Sequence, residues 1–122
     1  MKLIALALVA GTFAAGGVKA TLTAPTHAPK VNTKWYYTLR VTKGGKPAPA
    51  RLTAQIVDPI GGVHLVQFGS TTRNIKNYPI KGVFRDYIIW PRDSDGISLT
   101  LRFLIHAGGR TTTLKYRVTP HT

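Results

Sequence analysis

The sequence of 122 residues contains no cysteine. This absence excludes a disulfide scaffold, an Fe–S cluster, a thiolate zinc site and a cysteine nucleophile. Glutamate is absent too, so four aspartates are the only acidic side chains. The chain length predicts one compact domain, and a hydrophobic content of 43% with only 17% charged residues argues against disorder.

The sequence also lacks recognisable motifs for catalysis, metals and nucleotides. None of its serines lies in a G-x-S-x-G elbow, and its four histidines are scattered without metal-ligand spacing. It has no glycine-rich phosphate loop and no RNP, helix-turn-helix or zinc-finger pattern. We therefore predict a protein that is not an enzyme, uses no metal or cofactor, and binds no specific nucleic acid. A small secreted hydrolase built on Asp86 is the less favoured alternative.

The segment from Asp93 to Gly96 is similar to the start of a calcium-binding loop. A complete loop needs more oxygen ligands, including a glutamate that this chain does not have. Because an Asp-Gly pair favours a residue with positive φ, we predict a polar turn that leads into the next strand.

The first twenty residues have the pattern of a secretory signal peptide. Lys2 supplies a basic start, an uncharged apolar stretch runs from Leu3 to Ala15, and Val18 and Ala20 fit the positions before a cleavage site. The apolar stretch is shorter than the roughly 20 residues that span a bilayer. We predict cleavage after Ala20, a mature domain over 21–122 with no transmembrane span, and a secreted, periplasmic or cell-envelope location.

The rest of the chain alternates apolar and polar residues with period two, which is typical of β-strands. Between 35 and 42, one side of the predicted strand is apolar. Its residues are Trp35, Tyr37, Leu39 and Val41. Further strands are predicted from Arg51 to Val57, with Leu52, Ala54 and Ile56 inward, and from Val63 to Phe68. Glycine- and proline-rich turns separate these runs.

Two later segments are less regular. The stretch from Lys76 to Lys81 contains Pro79 and is predicted to be a loop or an edge strand. The stretch from Val83 to Trp90 is rich in strand-forming residues, but its two faces are similarly apolar. We predict that the face with Phe84, Ile88 and Trp90 is the inner one, although Asp86 shares it.

The strongest local signal is a hairpin that closes at Gly108-Gly109. A two-residue turn there fixes one register, and that register places the apolar residues of both strands on one face. The predicted inward pairs are Leu99 with Val118, Leu101 with Tyr116, Phe103 with Leu114, and Ile105 with Thr112. The predicted outward pairs are Thr100 with Arg117, Arg102 with Lys115, and His106 with Thr111.

Short strands, frequent turns and no helical segment predict an all-β fold. We favour a two-sheet antiparallel sandwich of about seven strands over a small closed barrel. Its strand at 35–41, the turns at 45–47 and 58–62 and the closing hairpin resemble immunoglobulin-like or fibronectin type III-like modules of secreted bacterial proteins. The resemblance covers about 21–120 and implies architecture rather than a ligand.

Charge is the clearest pointer to a partner. Lys and Arg number 17, which gives a formal net charge of +13, and removal of Lys2 and Lys19 with a signal peptide leaves +11. The positive electrostatic potential around such a chain attracts anions at long range. We predict that Arg102, Lys115 and Arg117, with Arg40 as a further candidate, contact an anionic envelope polymer or acidic polysaccharide. The alternative is that these charges only solvate the surface and protect sheet edges.

Aromatic side chains suggest a second interpretation. Tyr36, Tyr78 and Tyr87 lie at predicted outward or loop positions, where exposed rings stack on sugars in carbohydrate-binding modules. The alternative is that these rings pack beneath loops. A protein partner is also open, and the sequence does not decide the oligomeric state.

Overall fold

The computed structural model describes the backbone of residues 8–15 and 17–122, and the side chains from residue 17 onward. Within these residues the chain forms ten β-strands and one 3-10 turn. The strands are β1 (Leu8–Ala15), β2 (Val18–Ala24), β3 (Lys34–Lys43), β4 (Lys46–Pro47), β5 (Pro49–Val57), β6 (Val63–Leu65), β7 (Tyr78–Lys81), β8 (Val83–Ile89), β9 (Leu99–Ala107) and β10 (Arg110–Val118). The part of the chain that the structure describes holds no helix of the length and hydrophobicity needed to cross a membrane.

The strands form an antiparallel β-sandwich. Their order is β1-β2-β3-β8-β7-β5-β9-β10, with the short β4 beside β3 and β6 beside β5. Strands β7 and β8 share a single residue pair, Lys81 with Val83, and the fold turns from one layer to the other there. We call β1-β2-β3-β8 the first sheet and β7-β5-β9-β10 the second sheet. The predicted all-β sandwich is confirmed, and β1 also lies beside β10.

One hydrophobic core lies between the sheets, and large aromatic residues fill it. The Tyr37 ring from the first sheet lies 5.4 Å from the Phe103 ring of the second. Trp35 likewise lies 5.8 Å from Tyr116, and 5.7 Å from Trp90 in an edge-on arrangement. Facing sheets are about 10 Å apart, so aromatic side chains of this size span the gap.

The closing hairpin has the predicted register. All four predicted inward pairs and all three outward pairs occur between β9 and β10. Leu101, Phe103 and Ile105 are completely buried. Both glycines of the turn, Gly108 and Gly109, have positive φ values of 58° and 74°, as a primed two-residue turn requires.

The inner face of β8 is also the predicted one. Phe84 and Ile88 are buried, and Trp90 just beyond the strand is 1% exposed. Asp86 shares this inner face and is partly buried. The predicted loop or edge at 76–81 contains β7, which pairs with β5 through Pro49–Leu52.

The predicted signal peptide, residues 1–20, overlaps β1 and the start of β2. Residues 1–7 and 16 of this segment lie outside the described residues. Strand β1 falls within the predicted leader, and the predicted cleavage bond after Ala20 falls within β2. Val18 and Ala20 are buried there, and β2 pairs with β3 from Val18 to Thr23. Cleavage after Ala20 stays a prediction, and it would remove β1 and the first three residues of β2.

Candidate binding surfaces

The outward side of the second sheet carries a group of basic side chains, which we call the hairpin face. It consists of Arg51 on β5, Arg102 on β9, and Lys115 and Arg117 on β10. Lys115 lies directly opposite Arg102, and Arg117 lies opposite Thr100. The structure therefore brings together three of the four predicted anion-binding residues and adds Arg51.

Hydrogen bonds hold two of these guanidinium groups in place. Arg102 Nε donates to Gln55 Oε1 over 2.9 Å, and Gln55 is the residue beside it on β5. Arg51 Nη1 donates to the backbone oxygen of Asn77 over 3.0 Å. Neither partner is charged, so neither hydrogen bond neutralises a guanidinium group. Fixing these side chains in advance also lowers the entropy lost on binding.

No carboxylate neutralises the hairpin face within the described residues. The contact between a basic and an acidic side chain that the described residues hold is a hydrogen bond of 2.9 Å between His64 Nε2 and Asp58 Oδ2, away from this face at the turn between β5 and β6. The hydrogen bond from His64, with further hydrogen bonds from the Gly62 and Ile60 backbones, lowers the pKa of Asp58. The Asp58 carboxylate is therefore already hydrogen-bonded within the turn between β5 and β6.

Arg40 lies elsewhere, which corrects the prediction that it extends the same basic surface. It is on β3 of the first sheet, with Thr21 on one side and Val83 on the other. Its side chain is exposed on the outer side of that sheet. Arg40 therefore lies on the outer side of a different sheet from Arg102, Lys115 and Arg117, and the two outer sides of a sandwich point in opposite directions.

The outer side of the first sheet forms a second surface, which we call the tyrosine face. It carries Lys34, Tyr36 and Arg40 on β3 and Arg85 and Tyr87 on β8. Tyr36 lies opposite Tyr87 in the register, and their ring centroids are 5.5 Å apart at an angle of 54°. Lys34 Nζ lies 4.8 Å from the centre of the Tyr87 ring, a cation–π contact. Tyr36 is 58% exposed, so its ring is open to a ligand.

Tyr78, the third predicted stacking residue, is not part of this surface. Its ring packs edge-on against Phe68 at 4.9 Å and against Phe84 at 5.9 Å. It is half-buried under the segment that links β6 to β7. The alternative in which the ring packs beneath a loop therefore describes Tyr78, whereas Tyr36 and Tyr87 lie together on the outside.

A cleft of about 450 Å³ opens beside Tyr87, at the side of the sandwich where β8 separates from β7. Polar and apolar atoms contribute to its wall about equally, and its lining includes Ile56, Leu65, Phe68, Ile89 and Pro91. Because Tyr87 and Ile89 line it, this cleft lies next to the tyrosine face. Among the described residues, no three metal-binding side chains come together in the cleft or elsewhere.

Asp86, the residue of the hydrolase alternative, has a structural contact. Its carboxylate oxygens accept the backbone N–H of Gly69 at 3.0 and 3.2 Å and tie the segment after β6 to β8. Burial, with a smaller effect of the Asp86 charge, raises the pKa of the nearby Tyr37 phenol. Burial likewise raises the pKa of Tyr116, so both phenols are neutral inside the core.

Sequence reasoning missed three basic residues on the two surfaces: Arg51, Lys34 and Arg85. Each alternates with inward apolar residues along its own strand, so period two places it outside. Their grouping depends on the pairing of β5 with β9 and of β3 with β8. Strand order between distant segments, which alternation does not encode, was the missing information.

Comparison with known proteins shows the fold alone. No protein-family model matches this sequence, and no curated protein matches it. The structure is similar to the crystal structure of a DUF4426 family protein from Pseudomonas aeruginosa PAO1, with a TM-score of 0.51 and 15% sequence identity. The similarity covers 91% of this chain and 98% of that one. It supports an all-β sandwich and carries no function to this chain.

Proposed function

We propose that this protein is exported and acts at the cell envelope or in the medium as a non-catalytic binding, adhesion or structural module. Its hairpin face contacts an anionic polymer, such as an acidic polysaccharide or a phosphate-bearing wall or lipid polymer. The finer architecture that we propose is that of an immunoglobulin-like or fibronectin type III-like module. Such a module presents a rigid sheet face to its partner, and its function depends on that face.

One observation carries this proposal. The hairpin face places Arg51, Arg102, Lys115 and Arg117 on one side of a three-strand surface, and no carboxylate pairs with them in the described residues. Two like charges directly opposite on paired strands, Arg102 and Lys115, destabilise a sheet when nothing compensates them. An anionic ligand would supply that compensation.

The test is retention of the protein on a dextran sulfate resin at increasing salt. We expect strong retention at low ionic strength that falls steeply as the salt screens the charges. Charge reversal at three residues of the hairpin face, with Arg102→Glu, Lys115→Glu and Arg117→Glu, should abolish retention at salt concentrations where the unmodified protein still binds. Unchanged retention of this variant would contradict the proposal.

A matched control separates a specific surface from net charge. Lys30→Glu, Lys76→Glu and Arg92→Glu change the net charge by the same amount at exposed positions outside both faces. We expect this control to lose much less retention than the hairpin variant. Equal losses would assign the binding to overall charge and would contradict a role for the hairpin face.

A second candidate function is binding of neutral carbohydrate on the tyrosine face. The observation that favours it is the exposed Tyr36 ring held beside Tyr87 by the register of β3 and β8. Aromatic stacking does not depend on charge, so such binding should persist at high salt. Titration with neutral oligosaccharides at high salt, followed by tyrosine and tryptophan fluorescence, tests it. A response that Tyr36→Ala leaves unchanged would exclude this site.

A further inference from the structure

Arg40 belongs to a second basic surface, which is separate from the hairpin face. On the tyrosine face, Lys34, Arg40 and Arg85 are all exposed, and Arg85 lies opposite Thr38, one outward position from Tyr87. The four aspartates are absent from the outward positions of β3 and β8, because Asp86 faces the core and the other three lie in turns. The tyrosine face is therefore cationic as well as aromatic.

This combination indicates the chemistry of a ligand. Successive outward residues on a strand lie about 7 Å apart. Arg85 lies one such step from Tyr87 on β8, and Arg40 lies two such steps from Tyr36 on β3, in the same direction across the face. An exposed aromatic ring offers stacking to the apolar side of a sugar, and the adjacent cations attract its carboxylate or sulfate. A neutral sugar would leave Lys34, Arg40 and Arg85 without an anionic partner, whereas an acidic polysaccharide uses both features.

We propose that the tyrosine face is a second binding surface for acidic polysaccharide, and that the protein uses its two opposite faces to bridge two polymer chains. This inference rests on the proposed function, since the hairpin face supplies the other contact. The sandwich geometry supports bridging rather than extended contact with one chain. The hairpin face belongs to the second sheet and the tyrosine face to the first, so the two surfaces point away from each other.

Multivalent contact makes a distinctive prediction. A protein with one binding face coats a polymer chain, whereas a protein with two opposed faces links chains into clusters. The experiment mixes the full chain with long polygalacturonate at low salt and measures clustering by light scattering and co-sedimentation. Binding itself is measured separately by retention on immobilised polygalacturonate.

Three variants with equal change in net charge distinguish the explanations. The hairpin variant carries Arg102→Glu, Lys115→Glu and Arg117→Glu, and the tyrosine-face variant carries Lys34→Glu, Arg40→Glu and Arg85→Glu. The control carries Lys30→Glu, Lys76→Glu and Arg92→Glu, outside both faces. Glutamine versions of the two face variants replace any glutamate version that fails to fold by circular dichroism.

We expect the unmodified protein and the control to cluster the polymer. At low salt each single-face variant should still be retained on the immobilised polymer through its remaining face, more weakly than the unmodified protein, but should lose clustering. Tyr36→Ala should weaken clustering without changing net charge. If either face variant clusters the polymer as well as the control does, or if the unmodified protein binds without clustering, bridging is wrong while the proposed function stands. Failure of the unmodified protein to bind at all would overturn the proposed function itself.

Discussion

The two sheets of this sandwich differ in how their structure is encoded. The second sheet contains the β9–β10 hairpin, whose strands are adjacent in sequence and whose inner residues are apolar apart from Thr112 and the hydroxyl of Tyr116. In the first sheet, β8 pairs with β3 although β4 to β7 separate the two strands in sequence. The first sheet also places a carboxylate, Asp86, on the inner face of β8.

This difference shows that local and long-range information contribute separately. A diglycine turn and strict alternation determine the register of the hairpin without reference to the rest of the fold. The inner side of β8 depends instead on Gly69, whose backbone N–H partners Asp86 from 17 residues away. The second sheet should therefore respond to loss of packing, and the first to loss of specific long-range contacts.

The largest effect is expected from Phe103→Ala in the second sheet. Phe103 is completely buried and its ring contacts the Tyr37 ring across the sandwich. Removal of a buried phenylalanine ring costs about 3–5 kcal/mol. Urea denaturation followed by circular dichroism measures the free energy of unfolding. A loss below about 1 kcal/mol would mean that Phe103 faces solvent and that the hairpin is oriented wrongly.

The next largest effect is expected when the first residues of β2, a strand of the first sheet, are removed. Two chains that both lack β1 are compared, one beginning at Val18 and one at Thr21, the residue after the predicted cleavage bond. Loss of the buried Val18 and Ala20 side chains should lower the free energy of unfolding by about 2–4 kcal/mol. Equal stability of the two chains in urea denaturation would show that the mature sandwich begins at Thr21 without cost.

A smaller effect is expected from the long-range contact of β8. Asp86→Ala leaves the partly buried Gly69 N–H without an acceptor, which costs about 1–3 kcal/mol. Asp86→Asn is the matched control, because its side-chain carbonyl still accepts a hydrogen bond, and it should be less destabilising. The Gly69 amide should exchange its hydrogen faster in the alanine variant. If both variants are equally stable, Asp86 does not secure the segment after β6.

The same contrast explains what the sequence predicts about the candidate surfaces. Arg102, Lys115 and Arg117 could be grouped because a single local hairpin presents them. Arg40 was grouped with them wrongly, because alternation shows that a residue is outward but not to which sheet it belongs. The burial of Tyr78 depends on Phe68 and Phe84, which approach it only when β7 and β8 meet.

The smallest effect links stability to the proposed function. In the hairpin, Lys115 lies directly opposite Arg102, and like charges at such positions destabilise paired strands. Lys115→Glu replaces that repulsion with attraction between opposite charges. We expect a gain of about 0.2–1 kcal/mol in the free energy of unfolding at low salt, with a smaller gain at high salt because the ions screen both interactions.

The same substitution should weaken binding to dextran sulfate, because it replaces a cation on the hairpin face with an anion that also pairs with Arg102. Lys115→Gln is the control, since it removes the repulsion without adding an acid and should give an intermediate result in both measurements. If Lys115 only solvates the surface, a substitution that raises the free energy of unfolding should not also weaken binding to dextran sulfate. If Lys115→Glu raises stability and leaves retention unchanged, the repulsive pair has no role in ligand binding. If stability falls, the two side chains do not repel each other, and the hairpin face lacks the uncompensated charge on which its affinity for anions depends.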